Sequence, residues 1–148
     1  MESSIEDHVR RVKDGLERGR VALTHLSDLS TYDLEGVKPN REQITVPPPL
    51  AGDHFYIATD DRDPDELRIV ADAGAVFLWD LLTIEDRRAF GWPLMFTDVR
   101  AVVEQIVLAH GGFFYGYAKS SFSGAIVNMR AALGFDPRTA ITSGQTSG

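Results

Sequence analysis

Apolar side chains recur at helical spacing near the start of the sequence, at Ile5, Val9, Val12 and Leu16. This spacing predicts an amphipathic helix, because residues three and four positions apart lie on one face of an α-helix. We expect Ser3 or Ser4 to cap the N-terminus of this helix and Gly19 to end it.

From His54 onward, short apolar runs alternate with segments of helical spacing. The apolar runs cover residues 55–58, 75–79 and 113–115, and each predicts a buried strand. The helical segments cover residues 63–74, 97–110 and 122–133. Continuously apolar strands that alternate with helices are typical of a parallel sheet covered on both faces. The predicted fold is therefore α/β, a three-layer Rossmann-like parallel sheet.

The helix over residues 63–74 has the clearest local signals. Asp63 is a good N-cap, Pro64 suits the first helical position, and Gly74 can end the helix. Asp65 and Glu66 stabilise the positive end of the helix dipole. The same acidic run has Asp-x-Asp spacings that a metal site can use, but helix initiation accounts for them and the calcium-loop spacing is absent. We expect no metal here.

The pattern divides the chain into four segments. They are an N-terminal amphipathic helix over residues 1–20, an irregular proline-containing connection over residues 21–53, a Rossmann-like domain over residues 54–138 and a disordered tail over residues 139–148. The connection contains Pro39 and a run of three prolines at 47–49, which disfavour helix interior. The tail is small and polar, as disordered termini are.

Composition and net charge limit the classes of partner that the chain is expected to bind. A chain of 148 residues with 43% apolar and 25% charged side chains can bury a core. The net charge of −7 argues against a nucleic-acid binder, which needs a basic face. No apolar stretch approaches the roughly 20 residues that span a bilayer. There is no cysteine, hence no disulfide or thiolate metal site. We expect no nucleic-acid partner and no membrane span.

Residues 113–128 carry the clearest chemical signal: an apolar strand, a turn at Gly116, then Ser120 and Ser121 opening an apolar helix. The first N–H groups of a helix lack partners within it and attract phosphate. Serine is also a common N-cap, so a purely structural role is the alternative. Lys119 and the close backbone approach that Gly116 allows favour phosphate. No G-x-G-x-x-G or P-loop pattern is present.

Ligands of parallel sheets bind at the carboxyl ends of the strands. The loops at the carboxyl ends of the predicted strands would then lie along one edge of the sheet, which we call the rim. These loops are residues 59–61, 80–82 and 116–121. Glu104 lies on the helix before the serine turn, and its carboxylate could accept the N1–H and N2–H donors of guanine if it faced this rim. A solvated helix face is the alternative. The run from His8 to Arg11 looks like a His-x-Arg-Arg sugar- or phosphate-binding segment, but no strand precedes it, so we assign it to the first helix.

At these residues the chain resembles a known family. The matching segments are 55–61, 103–105, 109–110, 113–116, 120–122 and the Gly-Phe-Asp-Pro-Arg-Thr run at 134–139. In order and spacing they look like the C-terminal half of the GDP-fucose protein O-fucosyltransferases, most of all the branch that modifies thrombospondin repeats. The resemblance covers about residues 54 to 140.

The resemblance implies the C-terminal, nucleotide-sugar-binding half of a GT-B-type glycosyltransferase that acts without a metal. By motif position, Ser120, Ser121 and Phe122 would form the loop that holds the diphosphate of GDP-fucose. Glu104 stands where the family usually has an aspartate that reads guanine. Arg130 is a further candidate, against the alternative of a surface arginine. The implied ligands are GDP-fucose or GDP, and the acceptor would be a protein or glycan hydroxyl.

Part of the family pattern is missing. Its His-x-Arg-Arg-Gly-Asp-Phe segment, which supplies an arginine for the leaving diphosphate, has no match here. We therefore assign no catalytic residue. Three hypotheses stay open: the donor-binding half of a fucosyltransferase, a non-catalytic guanine-nucleotide-binding homologue, and a structural fragment whose exposed flank pairs with a partner. The family usually works in the secretory pathway, but no signal or anchor is recognisable here, so no compartment is predicted.

Overall fold

The structure is a computed structural model that describes residues 4–27 and 47–143. Its helices in this part of the chain are α1 (Ile5–Ser27), α2 (Pro64–Asp72), α3 (Leu78–Leu81), α4 (Ile84–Phe90), α5 (Thr97–His110) and α6 (Ser121–Ala132), with 3₁₀ turns at Trp92–Met95 and Pro137–Thr139. The strands are β1 (Phe55–Tyr56), β2 (Ala75–Val76), β3 (Phe114–Tyr117) and β4 (Ala140–Ser143). Ser3, most of the predicted connection (28–46) and the last five residues of the predicted tail (144–148) lie outside the described residues.

The strands of the described segments pair in parallel, which confirms the α/β class. β1 pairs with β2, with Phe55 opposite Ala75, and β3 pairs with β4, with Phe114 opposite Ala140. These are two separate two-stranded sheets, not the single sheet that the sequence predicts. The difference arises between β1 and β3, which do not hydrogen-bond to each other and instead line a cleft.

The first helix is longer than expected. Ser4 caps it, accepting a hydrogen bond from the Asp7 N–H at 3.3 Å, but Gly19 does not end it. Gly19 lacks the positive φ of a C-cap glycine, and the helix continues to Ser27. Gly15 and Gly19 are buried, and a Cβ on either would overlap the ring of Tyr115 or Phe113. These glycines therefore serve packing of α1 against β3.

β3 separates α1 from the last two long helices. Phe113, Tyr115 and Tyr117 point toward α1, as alternating positions of a strand do. Phe114, on the opposite side, is buried in a cluster with Ala109 of α5 and Ile126 of α6. This cluster is the centre of the hydrophobic core and fixes β3 and α6 relative to each other.

Residues 75–82 differ from the prediction of a strand followed by a rim loop. β2 ends at Val76, and Leu78 and Trp79 belong to α3. The Asp80 carboxylate accepts a hydrogen bond from the Phe77 N–H at 2.8 Å, which stabilises the first turn of a helix. Residues 80–82 therefore do not form the expected loop at the strand ends.

The helix at 63–74 agrees with its sequence signals. Asp63 accepts hydrogen bonds from the N–H groups of Asp65 (2.9 Å) and Glu66 (3.4 Å), Pro64 is the first helical residue, and Gly74 follows with φ of 101°.

The C-terminus differs from its prediction: Ala140–Ser143 forms β4, where we expected a disordered tail from residue 139. Pairing with β3 supplies hydrogen bonds that cannot be predicted from the local sequence.

Within the described residues, no helix combines the length and hydropathy needed to cross a membrane.

Candidate functional site

A cleft of about 460 Å³ runs between β1 and β3 and extends beyond their carboxyl ends to Asp60 and Ser120. Residues 55–60 form one wall and residues 113–117 the other, while α5 and the start of α6 contribute Thr97, Arg100, Glu104 and Ser120. A larger cleft of about 770 Å³ lies at the amino ends of the same strands, against the proline segment at 47–49. Ligands of parallel sheets bind at the carboxyl ends, so the smaller cleft is the candidate site.

The serine turn is built by two side-chain caps. The Ser120 hydroxyl accepts the Ser123 N–H at 3.3 Å, and the Ser123 hydroxyl accepts the Tyr117 N–H at 3.1 Å. A Cβ on Gly116 would lie 2.6 Å from the Ser123 hydroxyl oxygen, so only glycine fits at this point of the strand. The end of β3 is therefore held tightly against the start of α6.

Free donors remain at the start of α6. In residues 4–27 and 47–143, no acceptor is present for the backbone N–H groups of Ser121 and Phe122. They lie at the positive end of a twelve-residue helix. Ser120 thus has the capping role that we gave as the structural alternative, and that role leaves backbone donors beside the cleft for an anion.

Glu104 lines the cleft. It projects from α5 on the same face as Thr97, Arg100 and Leu108, which all line this cleft. Burial raises the pKa of the Glu104 carboxyl above its ordinary value, and the charge of Arg100 opposes that rise. The carboxylate is thus a half-buried acceptor facing a cavity, not part of a solvated helix face.

The other predicted site residues differ in whether they line the cleft. Phe122 is half-buried, packs against the core cluster and lines the cleft. Ser121 is exposed and does not line it, and its free backbone N–H belongs to the adjoining N-terminus of α6. Of the predicted loops at the strand ends, residues 59–60 and residues 116, 117 and 120 line this cleft, whereas residues 80–82 do not.

Models of protein families, curated proteins and solved structures give no match to this chain. The site is therefore assigned from its own geometry.

Arg130 is neither a surface side chain nor a ligand-binding group. It is 2% exposed, and its guanidinium donates to the carbonyl oxygens of Ala109, Gly111 and Gly112 and to both oxygens of Thr139, with Nη2 at 2.8 Å from Thr139 Oγ1. It also lies over the Phe135 ring, 4.2 Å from the centroid. Arg130 ties the end of α5 to the segment before β4, which is a structural role.

Two residues of the cleft escaped the sequence reasoning. Arg100 lies one helical turn before Glu104, and Tyr56 of β1 faces both of them across the cleft. The available signal for Arg100 was its position, since a charged residue one turn from another lies on the same helix face. Tyr56 gave no signal, because a tyrosine in an apolar strand is usually a core residue.

On the α1 side, the cleft adjoins a second hollow of about 610 Å³. The hollow is lined by His8 and Tyr117, whose ring nitrogen and hydroxyl are 2.7 Å apart, and by Asp60, Asp61 and Glu66. The Asp63 N–H donates to the Asp61 carboxylate at 2.9 Å and lowers its pKa, and the neighbouring Asp61 carboxylate raises the pKa of Glu66. Within the described ranges no group of three or more His, Cys, Asp or Glu side chains is arranged to hold a metal ion.

Proposed function

We propose that this chain binds a guanine nucleoside diphosphate sugar in the cleft between β1 and β3. One observation carries the proposal: Glu104 of α5 and Ser120 at the start of α6 line the same cleft. A half-buried carboxylate suits a base with paired N–H donors, and free N–H groups at a helix N-terminus suit a diphosphate. The two ends of one nucleotide thus have complementary groups in one cavity.

Each predicted residue has a defined role in this proposal. Glu104 accepts guanine N1–H and N2–H, and Ser120 together with the Ser121 and Phe122 N–H groups holds the diphosphate. The Phe122 ring anchors the turn in the core cluster. Backbone donors and the helix dipole offset the phosphate charge, so we propose binding without a metal.

The corresponding fold proposal is the Rossmann-like C-terminal half of a GT-B-type glycosyltransferase. Its support is the parallel pairing of the strands and the position of β3, with α1 on one side and α5 and α6 on the other. The proposed site at the carboxyl ends agrees with this fold, because nucleotides bind there in doubly wound sheets.

The reaction proposed for the donor is transfer of fucose from GDP-fucose to an acceptor hydroxyl of a protein or glycan. This chain would supply donor binding, and we assign it no catalytic residue. The sequence has no His-x-Arg-Arg-Gly-Asp-Phe segment, and His8 instead bonds Tyr117 from within α1. An arginine at the leaving diphosphate contributes a large electrostatic stabilisation, so transfer needs that group from another segment or chain. Without it, the protein is a guanine-nucleotide-binding homologue that transfers no sugar.

Thermal unfolding with a panel of nucleotides tests the binding proposal. GDP, GDP-fucose and GDP-mannose should each raise the melting temperature, and UDP at equal concentration should not. At about 100 times its Kd, a ligand adds about 2.7 kcal/mol, which is about 8 °C for a chain of this size. Replacing Ser120 and Ser121 together by alanine should reduce the shift but not remove it, because the Ser120 hydroxyl is lost while the backbone N–H groups of Ser121 and Phe122 remain. Equal shifts with GDP and UDP would contradict guanine recognition.

The fate of the fucose distinguishes a fucosyltransferase from a protein that only binds the nucleotide sugar. Incubation of the chain with GDP-[14C]fucose should release labelled fucose to water or to an acceptor only if the catalytic groups are present. Label that stays entirely in GDP-fucose, alongside a guanine-selective melting shift, identifies the non-catalytic homologue.

A structural role is the second candidate, and one surface favours it. Trp92, Met95 and Phe96, just before α5, are 73%, 80% and 53% exposed. Exposed apolar groups of this size are uncommon on monomers and are found at protein interfaces. A chain that associates with itself or with another domain and shows no nucleotide-dependent melting shift would support this candidate over nucleotide binding.

A further inference from the structure

Three polar side chains, those of Tyr56, Arg100 and Glu104, line the cleft. Arg100 and Glu104 lie one helical turn apart on the same face of α5, and Tyr56 approaches from β1. Burial and the charge of Glu104 raise the pKa of the Tyr56 hydroxyl far above its ordinary value, and the charge of Arg100 opposes that rise. The three groups therefore form one cluster around the base-binding end of the proposed site.

The cluster has hydrogen-bonding capacity that the protein does not use. The Tyr56 hydroxyl is buried and has no partner among the described residues. In those same residues the guanidinium of Arg100 makes no hydrogen bond or close ion pair, although the residue is half-buried beside the cavity. Buried polar groups without partners are rare, because each loses its hydration without replacement. A ligand that supplies both an acceptor and donors would satisfy the cluster.

The edge of guanine has the matching order of groups. It presents the O6 acceptor, then the N1–H donor, then the N2–H₂ donor, and Arg100 stands beside the Glu104 carboxylate that we assign to N1–H and N2–H. We propose that Arg100 determines base specificity by donating a hydrogen bond to O6 of guanine. This inference rests on the proposed function and adds the group that rejects adenine. Adenine carries an amino donor at position 6, which would face the guanidinium donors of Arg100 unpaired.

Arg100 could instead act only through Glu104, by keeping its carboxyl ionised. The two roles differ in which ligand atom they read. A direct bond depends on O6, whereas an effect through Glu104 depends on N2–H₂. Two nucleotides change one of these positions each: 6-thio-GDP replaces O6 with sulfur, a weaker acceptor, and IDP lacks the 2-amino group.

Calorimetric titration of the full chain at pH 7 with GDP, 6-thio-GDP and IDP tests the inference. The wild type should bind GDP about fivefold to tenfold more tightly than 6-thio-GDP, as expected for one charge-assisted hydrogen bond. Arg100→Met should bind the two equally, while keeping the wild-type ratio of GDP to IDP affinity. Arg68→Met, which removes an exposed arginine of α2, should leave all three affinities unchanged.

Three results would overturn the inference. If Arg100→Met still distinguishes GDP from 6-thio-GDP, O6 is read elsewhere. If instead its GDP to IDP ratio collapses, Arg100 acts through Glu104. If the wild-type protein binds GDP and 6-thio-GDP equally, no strong hydrogen bond to O6 exists. This comparison uses no variant, so a folding defect cannot explain its result. Absence of any GDP binding refutes the proposed function as well, whereas GDP binding with an unchanged O6 preference refutes Arg100 alone.

Discussion

The Nδ1 atom of His8 lies 2.7 Å from the hydroxyl oxygen of Tyr117, which joins the first helix to the carboxyl end of β3 at the mouth of the candidate site. The contact completes an interface in which Tyr115 and Phe113 pack on Gly15 and Gly19. α1 is thereby aligned along the strand that leads into the serine turn. The position of this helix controls the shape of both the cleft and the hollow beside it.

Gly15→Ala and Gly19→Ala should each destabilise the protein. The new Cβ would overlap the Tyr115 or Phe113 ring, and overpacking of this kind costs about 1–3 kcal/mol, from which a gain in helix propensity of about 1 kcal/mol is subtracted. Gly124→Ala in α6, where nothing lies within 4 Å of the new methyl group, should instead be stabilising. Urea unfolding measures all three. Equal effects at Gly19 and Gly124 would contradict the packing role.

The elements that sequence predicted well are those with local causes. Asp63, Pro64 and Gly74 define α2 within the segment itself, and the structure agrees. The prediction that Gly19 ends the first helix is wrong because the partner of Gly19, Phe113, is remote in sequence. The prediction of a disordered tail fails at β4 for the same reason, since the hydrogen bonds of β4 come from β3.

Arg130→Met should be among the most destabilising single substitutions. Burial lowers the pKa of the guanidinium only to about 10, so it is charged at neutral pH and donates to four carbonyl oxygens and the Thr139 hydroxyl. Removing it leaves these acceptors buried without a donor, at a cost of about 3 kcal/mol. Arg68→Met, whose salt bridge to Asp65 is exposed, should cost under about 0.5 kcal/mol. Similar unfolding free energies for the two variants would contradict this assignment.

Substitutions of Ser120 should separate its capping role from phosphate binding. Ser120→Ala removes the acceptor for the Ser123 N–H and should cost about 1 kcal/mol. Ser120→Asp keeps a capping oxygen and adds a negative charge, so stability should be retained while GDP affinity falls at least about tenfold by charge repulsion. Ser120→Asn is the neutral capping control. Unfolding curves and GDP titrations on the three variants check this, and full GDP affinity in Ser120→Asp would exclude a diphosphate beside residue 120.

The pH dependence of GDP affinity should follow the ionisation of Glu104. Only the ionised carboxylate accepts both guanine donors, and burial places its pKa above the ordinary value of 4.5. Affinity should therefore fall as pH falls through that raised pKa. Titrations from pH 4.5 to 8 on wild type and Glu104→Gln check this; the variant should bind weakly with little pH dependence. A wild-type affinity that is independent of pH over this range would contradict the role of Glu104.

The same shift affects unfolding in the opposite sense. Between the unfolded and folded pKa values the folded chain binds more protons, so the Glu104 contribution to stability decreases as pH rises through this window. Glu104→Gln should lose that part of the decrease in urea unfolding experiments. A variant whose stability has the same slope with pH as the wild type would show that Glu104 has an ordinary pKa.

Sequence located part of the site for similarly local reasons. The cap at Ser120 and the donors that follow are properties of the turn itself. Whether Glu104 faced solvent or the strand ends depended on how α5 packs, and only the structure places it in the cleft. Arg100 and Tyr56 emerge only when α5 and β1 are brought together. Ser121 matched the motif, but it is exposed and does not line the cleft.

The most direct test of the central claim is calorimetric titration of the wild-type chain and Glu104→Gln with GDP at pH 7. We predict one GDP site in the wild type and at least about a tenfold loss of affinity in the variant, because an amide cannot accept both guanine donors. The melting temperature of the variant without nucleotide, which should not fall, serves as the folding control. Equal GDP affinity in the two proteins, or no binding to either, would contradict a guanine nucleotide site at this cleft.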